Sequence, residues 1–180
     1  MSDETRASLF PATLGTRERL STLVVGYGVG IAIPVMLGII FSATFHHRGI
    51  LLFPLVFAAI LLLCYLLHPT GFGVDKQGIT IMRKLWPGRI DLDRIESAAF
   101  PASSPTGFTM GIFRVTGIYG TFGVFWNRHW GLFRVFVTNH ANRVELCLDD
   151  GSHVVVSPDD PGKFVEAVRT TQARRPHLKT

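Results

Sequence analysis

Two apolar stretches separated by four residues constrain this chain more than any other feature. Leu20 to Phe45 carries no charged residue, and neither does Ile50 to Leu67. Only His46-His47-Arg48-Gly49 lies between them. A bilayer core of ~30 Å takes ~20 apolar residues in a helix, and a charge at its centre costs ~2.5–3.5 kcal/mol or more. The pattern predicts a transmembrane helical hairpin over residues 20–68. The competing reading is a buried helical pair in a soluble protein, but uncharged runs this long are rare in soluble cores. A cleaved signal peptide fits worse, because the first stretch is long, follows a polar segment and is succeeded at once by a second.

So short a connection sets the helices antiparallel and both flanks on one side of the membrane. Arg6, Arg17 and Arg19 precede the first stretch; Lys76, Arg83, Lys84 and Arg89 follow the second, against Arg48 alone in the loop. The excess of basic flanks predicts both termini in the cytoplasm. Neither stretch holds an Asp, Glu, Lys or Arg, the usual mark of a pump or proton relay. The hairpin therefore reads as an anchor that contacts membrane lipids, with Gly26, Gly28, Gly30 and Gly38 offering surfaces for close helix packing or for homo-oligomerisation.

The expected organisation is a cytoplasmic tail over 1–19, the hairpin over 20–68, one small domain over 71–172 and a basic tail over 173–180. From Pro69 onward the chain has 14 Lys and Arg against 10 Asp and Glu. That excess is modest and scattered, so nucleic-acid binding is not expected. Cys64 falls in the second apolar stretch and Cys147 in an expected strand, so no disulfide is expected, in keeping with a reducing compartment. No cysteine or histidine spacing resembles a zinc site, and neither a metal nor a cofactor is expected.

After Pro69 the hydrophobic period changes. Val74 to Ile81 reads as strand, turn, strand, with Gly78 in the turn. Arg89 to Leu92 alternates, Ile95 to Phe100 continues as a strand or short turn, and Pro101 to Gly107 is a loop. Leu132 to Thr138 and Arg143 to Leu148 are strands, and Asp149-Asp150-Gly151 is a hairpin turn leading into His153 to Val156. Ser157-Pro158-Asp159-Asp160-Pro161 gathers capping residues and prolines at a helix start. Ser157 is expected to cap a first tight turn and Asp160 the main helix, which carries Phe164, Val165 and Val168 at helical spacing.

Three stretches, Val74-Asp75-Lys76-Gln77-Gly78-Ile79, Arg114-Val115-Thr116-Gly117-Ile118-Tyr119-Gly120 and Ser157-Pro158-Asp159-Asp160-Pro161 before the apolar helix, resemble the bacterial pleckstrin-homology (PH) families found in membrane proteins. The resemblance covers about residues 71–171. It implies an α+β fold: the hairpin, then a PH-like antiparallel β-barrel or sandwich capped by a C-terminal helix. It also implies a bacterial source, hence the inner membrane, and a binding or assembly role without an established activity. It carries no fixed lipid-binding motif.

Phe108 to Phe136 is unusually dense in aromatics and glycines, punctuated by Arg114, Arg128 and Arg134. One reading makes Tyr119 to Trp130 a loop on the membrane or on a protein partner, with Arg114, Tyr119, Trp126, Arg128 and Trp130 as contacts. The other buries the aromatics in the core and uses the glycines as bulges. Catalytic patterns are missing: Ser103 and Ser104 lack a G-x-S-x-G setting, and Gly117 to Gly120 lacks the Lys-Ser/Thr of a phosphate loop. Asp149-Asp150 and Asp159-Asp160 read as turn and cap residues. The sequence thus favours a non-catalytic binding or scaffold module over the alternative, an accessory subunit of a membrane enzyme or transporter whose site forms only in a complex.

Overall fold

A computed structural model describes residues 8–45, 52–100 and 109–174. The described residues open on a strand: Ser8–Pro11 (β1) pairs antiparallel with Pro69–Asp75 (β2), Phe10 opposite Phe72. Residues 8–11 of the expected 1–19 tail are therefore part of the folded domain. A continuous helix follows, as α1 (Thr16–Ser21), a π-helical stretch (Thr22–Ala32) and α2 (Ile33–Phe45). Thr16–Ile40, 25 residues with an 18-residue window of mean hydropathy 2.3, is the one helix among the described residues long and apolar enough to cross a membrane. The second apolar helix, α3 (Leu52–Leu67), has 16 residues and falls short of the ~20 expected. The expected connection at 46–49 lies outside the described residues.

The helices pack most closely at Gly30, where a Cβ would collide with the Phe57 ring; at Gly26 a Cβ would make an ordinary contact, 3.8 Å from Leu61. Residue 26 meets 61 and residue 30 meets 57, so the two run in opposite directions at their contact.

The rest of the chain forms two open sheets and a helix. The first sheet has the order β1-β2-β3-β4, with β3 at Gly78–Arg83 and β4 at Gly88–Asp91. The second comprises β5 (Ile95–Ala99), β6 (Thr109–Thr116), β7 (Thr121–Asn127), β8 (Gly131–Val137), β9 (Val144–Leu148) and β10 (His153–Val156). Its order is β5-β9-β10-β8-β7-β6, antiparallel throughout except for the β8–β10 pair. Neither sheet closes, so of the expected barrel or sandwich the arrangement is sandwich-like. Strand alternation builds the core: Val144, Leu146 and Leu148 are fully buried while Glu145 and Cys147 between them point to the opposite face. Phe72, Ile79 and Ile81 of the first sheet, Val154 and Val156 of the second, and Phe164 and Val168 of α4 (Pro161–Ala173) complete it.

Asp160 caps α4 as expected, accepting a hydrogen bond from Lys163 N at 3.0 Å with Pro161 next in line. Ser157 takes a different role: its Oγ accepts from Thr138 N at 2.7 Å and ties the end of β8 to the end of β10. Gly78 also works differently from expectation. A Cβ there would sit 2.2 Å from the Ile90 carbonyl oxygen, so the glycine permits close approach of β4, while the Asp75 carboxylate closes the turn by accepting from Gln77 N and Gly78 N. Both cysteines are free.

Candidate functional site

The domain grips the helices at both chain passages. On entry, Ala12 N donates to Thr70 O and Gly15 N to Thr138 O, each at 3.1 Å. The Asp159 carboxylate accepts from Thr13 N at 2.8 Å and from Thr13 Oγ1 at 2.9 Å. On exit, His68 Nδ1 bonds the Tyr65 carbonyl oxygen at 2.5 Å, and the chain enters β2 at the next residue.

A turn of the second sheet wedges against these passages. Gly117-Ile118-Tyr119-Gly120 joins β6 to β7 and is closed by Gly117 N donating to Gly120 O at 3.0 Å. Tyr119 sits at φ +56°, in the left-handed region that residues other than glycine rarely adopt. Tertiary contacts hold it there. Its backbone N donates to Thr22 Oγ1 at 2.8 Å, its hydroxyl meets the Tyr27 hydroxyl at 2.6 Å, and its ring stacks on His68 at 5.3 Å. Burial and the Tyr27 hydroxyl raise the Tyr119 hydroxyl pKa above its ordinary range. Lys84 lies over the Tyr65 ring with Nζ 3.5 Å from its centre. A groove of about 340 Å³ opens here between apolar helix residues Ile31, Ala58, Leu61 and Leu62 and the three tyrosines. Tyr119 is therefore a docking residue between domain and helices rather than a free surface contact.

The opposite end of the same strands looks different. The register sets Met110, Trp126 and Leu132 side by side across β6, β7 and β8, and Phe113 next to Val124 on the same face. Met110 is 50% exposed, Phe113 78%, Trp126 40% and Leu132 55%. Farther along this face Phe122 and Phe136 enter the main core, so the sheet corner extends beyond its cover. Isolated exposed apolar residues need no explanation, but four large ones side by side form a patch of the kind that marks an interaction surface. Arg128 is exposed in the turn beside it, between β7 and β8.

The five residues singled out in the sequence do not converge. Trp126 and Arg128 lie at the sheet corner. Trp130 lies on the other face, stacked on His153 at 4.5 Å and edge-on to Phe133 at 5.3 Å. Arg114 stands on β6 opposite Gly123. The expected loop over Tyr119 to Trp130 is largely strand β7 bounded by two tight turns. Its aromatics divide by face: Phe122 in the main core, Phe125 in a second cluster with Phe133, and Trp126 exposed. Met110, Phe113 and Leu132 become neighbours of Trp126 only through the strand register.

Residues 70–172 match the model of a family described as "Bacterial PH domain". No curated protein matches the chain, and no solved structure does. The match takes in every strand from β2 to β10 and nearly all of α4, more than half of the chain, and the two sheets with their C-terminal helix are the fold that the sequence resemblance implies. The chain belongs to the bacterial PH domain family.

Proposed function

We propose that the protein is a non-catalytic binding module held at the cytoplasmic face of the bacterial inner membrane by two crossings of its apolar helices. It recruits a protein partner through the exposed corner of β6, β7 and β8. PH domains are generally binding modules, and the observation that carries the membrane reading is β1. Because Ser8–Pro11 is hydrogen-bonded into the domain that resumes at Pro69, the chain leaves and returns on the same side. A helix that crosses between those points needs a second crossing to come back, and we assign it to α3, the other described apolar helix, although its 16 residues are fewer than the ~20 of a full span. The helices also keep large apolar side chains exposed, among them Val24, Val29, Met36, Leu55 and Leu62, as lipid contact requires. The basic residues on both flanks favour the cytoplasm for the domain and for both termini. A reporter active only outside the cytoplasm, fused at Thr180, is expected to stay silent; activity there overturns the orientation.

The β6–β7 turn rests on the helices, and Trp126 lies five residues along β7 from Thr121, about 17 Å at ~3.3 Å per residue. That separation favours a protein over the bilayer as the occupant of the corner. A photocrosslinking probe at Trp126 in intact bacterial membranes is expected to give a discrete protein adduct. An adduct with a membrane enzyme or transporter makes the chain its accessory subunit, and one at twice the chain mass makes it a homo-oligomer. Lipid adducts alone overturn the assignment of the corner to a protein.

A further inference from the structure

We propose that Glu145, Cys147 and His153 bind a single divalent transition-metal ion, zinc by the chemistry of the donors, on the face of the second sheet that points away from the main core. The three side chains come from adjacent strands. Glu145 and Cys147 are two apart on β9 and share a face, and the β9–β10 register puts His153 directly opposite Cys147. His153 Nδ1 lies 2.8 Å from Glu145 Oε1, and Cys147 Sγ lies 3.6 Å from Nδ1 and 3.7 Å from Oε1. All three ligand atoms fall within 4.8 Å of one another.

These separations are close to the edges of a coordination tetrahedron. With metal–sulfur bonds of ~2.3 Å and metal–nitrogen or –oxygen bonds of ~2.0–2.1 Å, the two edges at sulfur come to about 3.6 Å and the nitrogen–oxygen edge to about 3.3 Å. The sulfur edges already match. Only the His153–Glu145 edge has to open, by about 0.5 Å. The Glu145–His153 hydrogen bond, at 2.8 Å, is complete without the thiol, which makes longer contacts of 3.7 and 3.6 Å to the same two atoms. A thiolate with an imidazole selects zinc-like ions over magnesium or calcium, and the carboxylate supplies a third donor.

A neighbouring ring braces the cluster. Trp130 stacks flat on the His153 ring, 14° from parallel, and fixes the plane of the imidazole. The His153 and Glu145 side chains are 19% and 16% exposed, which leaves water access to a fourth position. Binding at Nδ1 places the imidazole proton on Nε2, and the Cys147 thiol proton leaves to solvent, one proton per ion.

The test uses the full chain, stripped of metal and purified in detergent, titrated with cobalt(II) as a spectroscopic probe and then with zinc. The expected result is one cobalt ion per chain with a thiolate-to-cobalt charge-transfer band that zinc displaces. Cys147→Ser is expected to abolish the band, and His153→Gln to weaken binding at least ~100-fold, more than the loss of a supporting residue typically costs. Cys64→Ser, with the only other cysteine changed, is expected to keep the band. Zinc is expected to raise the melting temperature of the unaltered chain but not of Cys147→Ser, which separates lost ligation from lost folding. No band at all, a band that survives Cys147→Ser, or one that disappears with Cys64→Ser overturns the proposal.

Discussion

Phe164→Ala is expected to lower the stability of the domain by ~3–5 kcal/mol, the range for removing a fully buried Phe from a core that cannot collapse. Phe164 is 0% exposed. Its ring stands edge-on to Phe10 at 5.3 Å and to Phe72 at 6.0 Å, so one side chain joins α4 to the first two strands. The cavity would open where β1, a four-residue edge strand, meets the sheet. Measured by thermal and denaturant unfolding in detergent, the loss should be several times the ~1 kcal/mol typical of a helix cap such as Asp160. It should come with faster proteolysis or hydrogen exchange around Ser8–Pro11. A loss below ~1 kcal/mol would mean that Phe10 and Phe72 close over the gap, and that α4 is not what fastens β1.

The sequence made some of this legible and concealed the rest for identifiable reasons. Local chemistry is self-announcing. Asp149-Asp150-Gly151 forms the expected hairpin, with Gly151 at φ +75°, and Asp160-Pro161 starts α4 because capping is decided within a few residues. Ser8–Pro11 gave no such signal. Four residues ending in proline have too little period to declare a strand, and this one exists because β2, some 60 residues later, offers it an edge. The parallel neighbours β8 and β10 were concealed in the same way, since the turn between β9 and β10 reveals their pairing and nothing local reveals what lies on the other side. Gly78 shows that a residue can be placed correctly and misassigned in role: its position at the turn was visible, but the approaching Ile90 carbonyl was not.

The candidate sites divide along the same line. Trp126 stood out as an aromatic next to polar residues, whereas its apolar neighbours Met110 and Leu132 become neighbours only through two sets of strand pairing. The Glu145, Cys147 and His153 cluster was within reach of the sequence. The Asp-Asp-Gly turn fixes a register that sets His153 across from Cys147, and alternation puts Glu145 on the same face. Its spacing runs across a hairpin rather than along the chain, so it forms no linear metal-ligand motif.

Adjacent residues on β7 are expected to give opposite results. Trp126→Asp combined with Leu132→Asp should remove the partner adduct captured by a probe at Met110 and leave the melting temperature nearly unchanged, because both side chains are about half exposed and neither belongs to a buried cluster. An aromatic anchor at a protein interface contributes ~2 kcal/mol or more, so affinity for the captured partner should fall at least ~30-fold. Phe125→Ala, one position away, is expected to behave in reverse. Phe125 is 7% exposed, on the opposite face, with its ring 5.7 Å from Phe133, and its loss should cost ~3 kcal/mol or more of stability. At a temperature where that variant remains folded it should still capture the partner. The pair of results separates recognition from folding within one strand. If the double Asp variant unfolds, the corner is covered in the native protein by the chain itself; if it stays folded and still binds, the partner docks elsewhere.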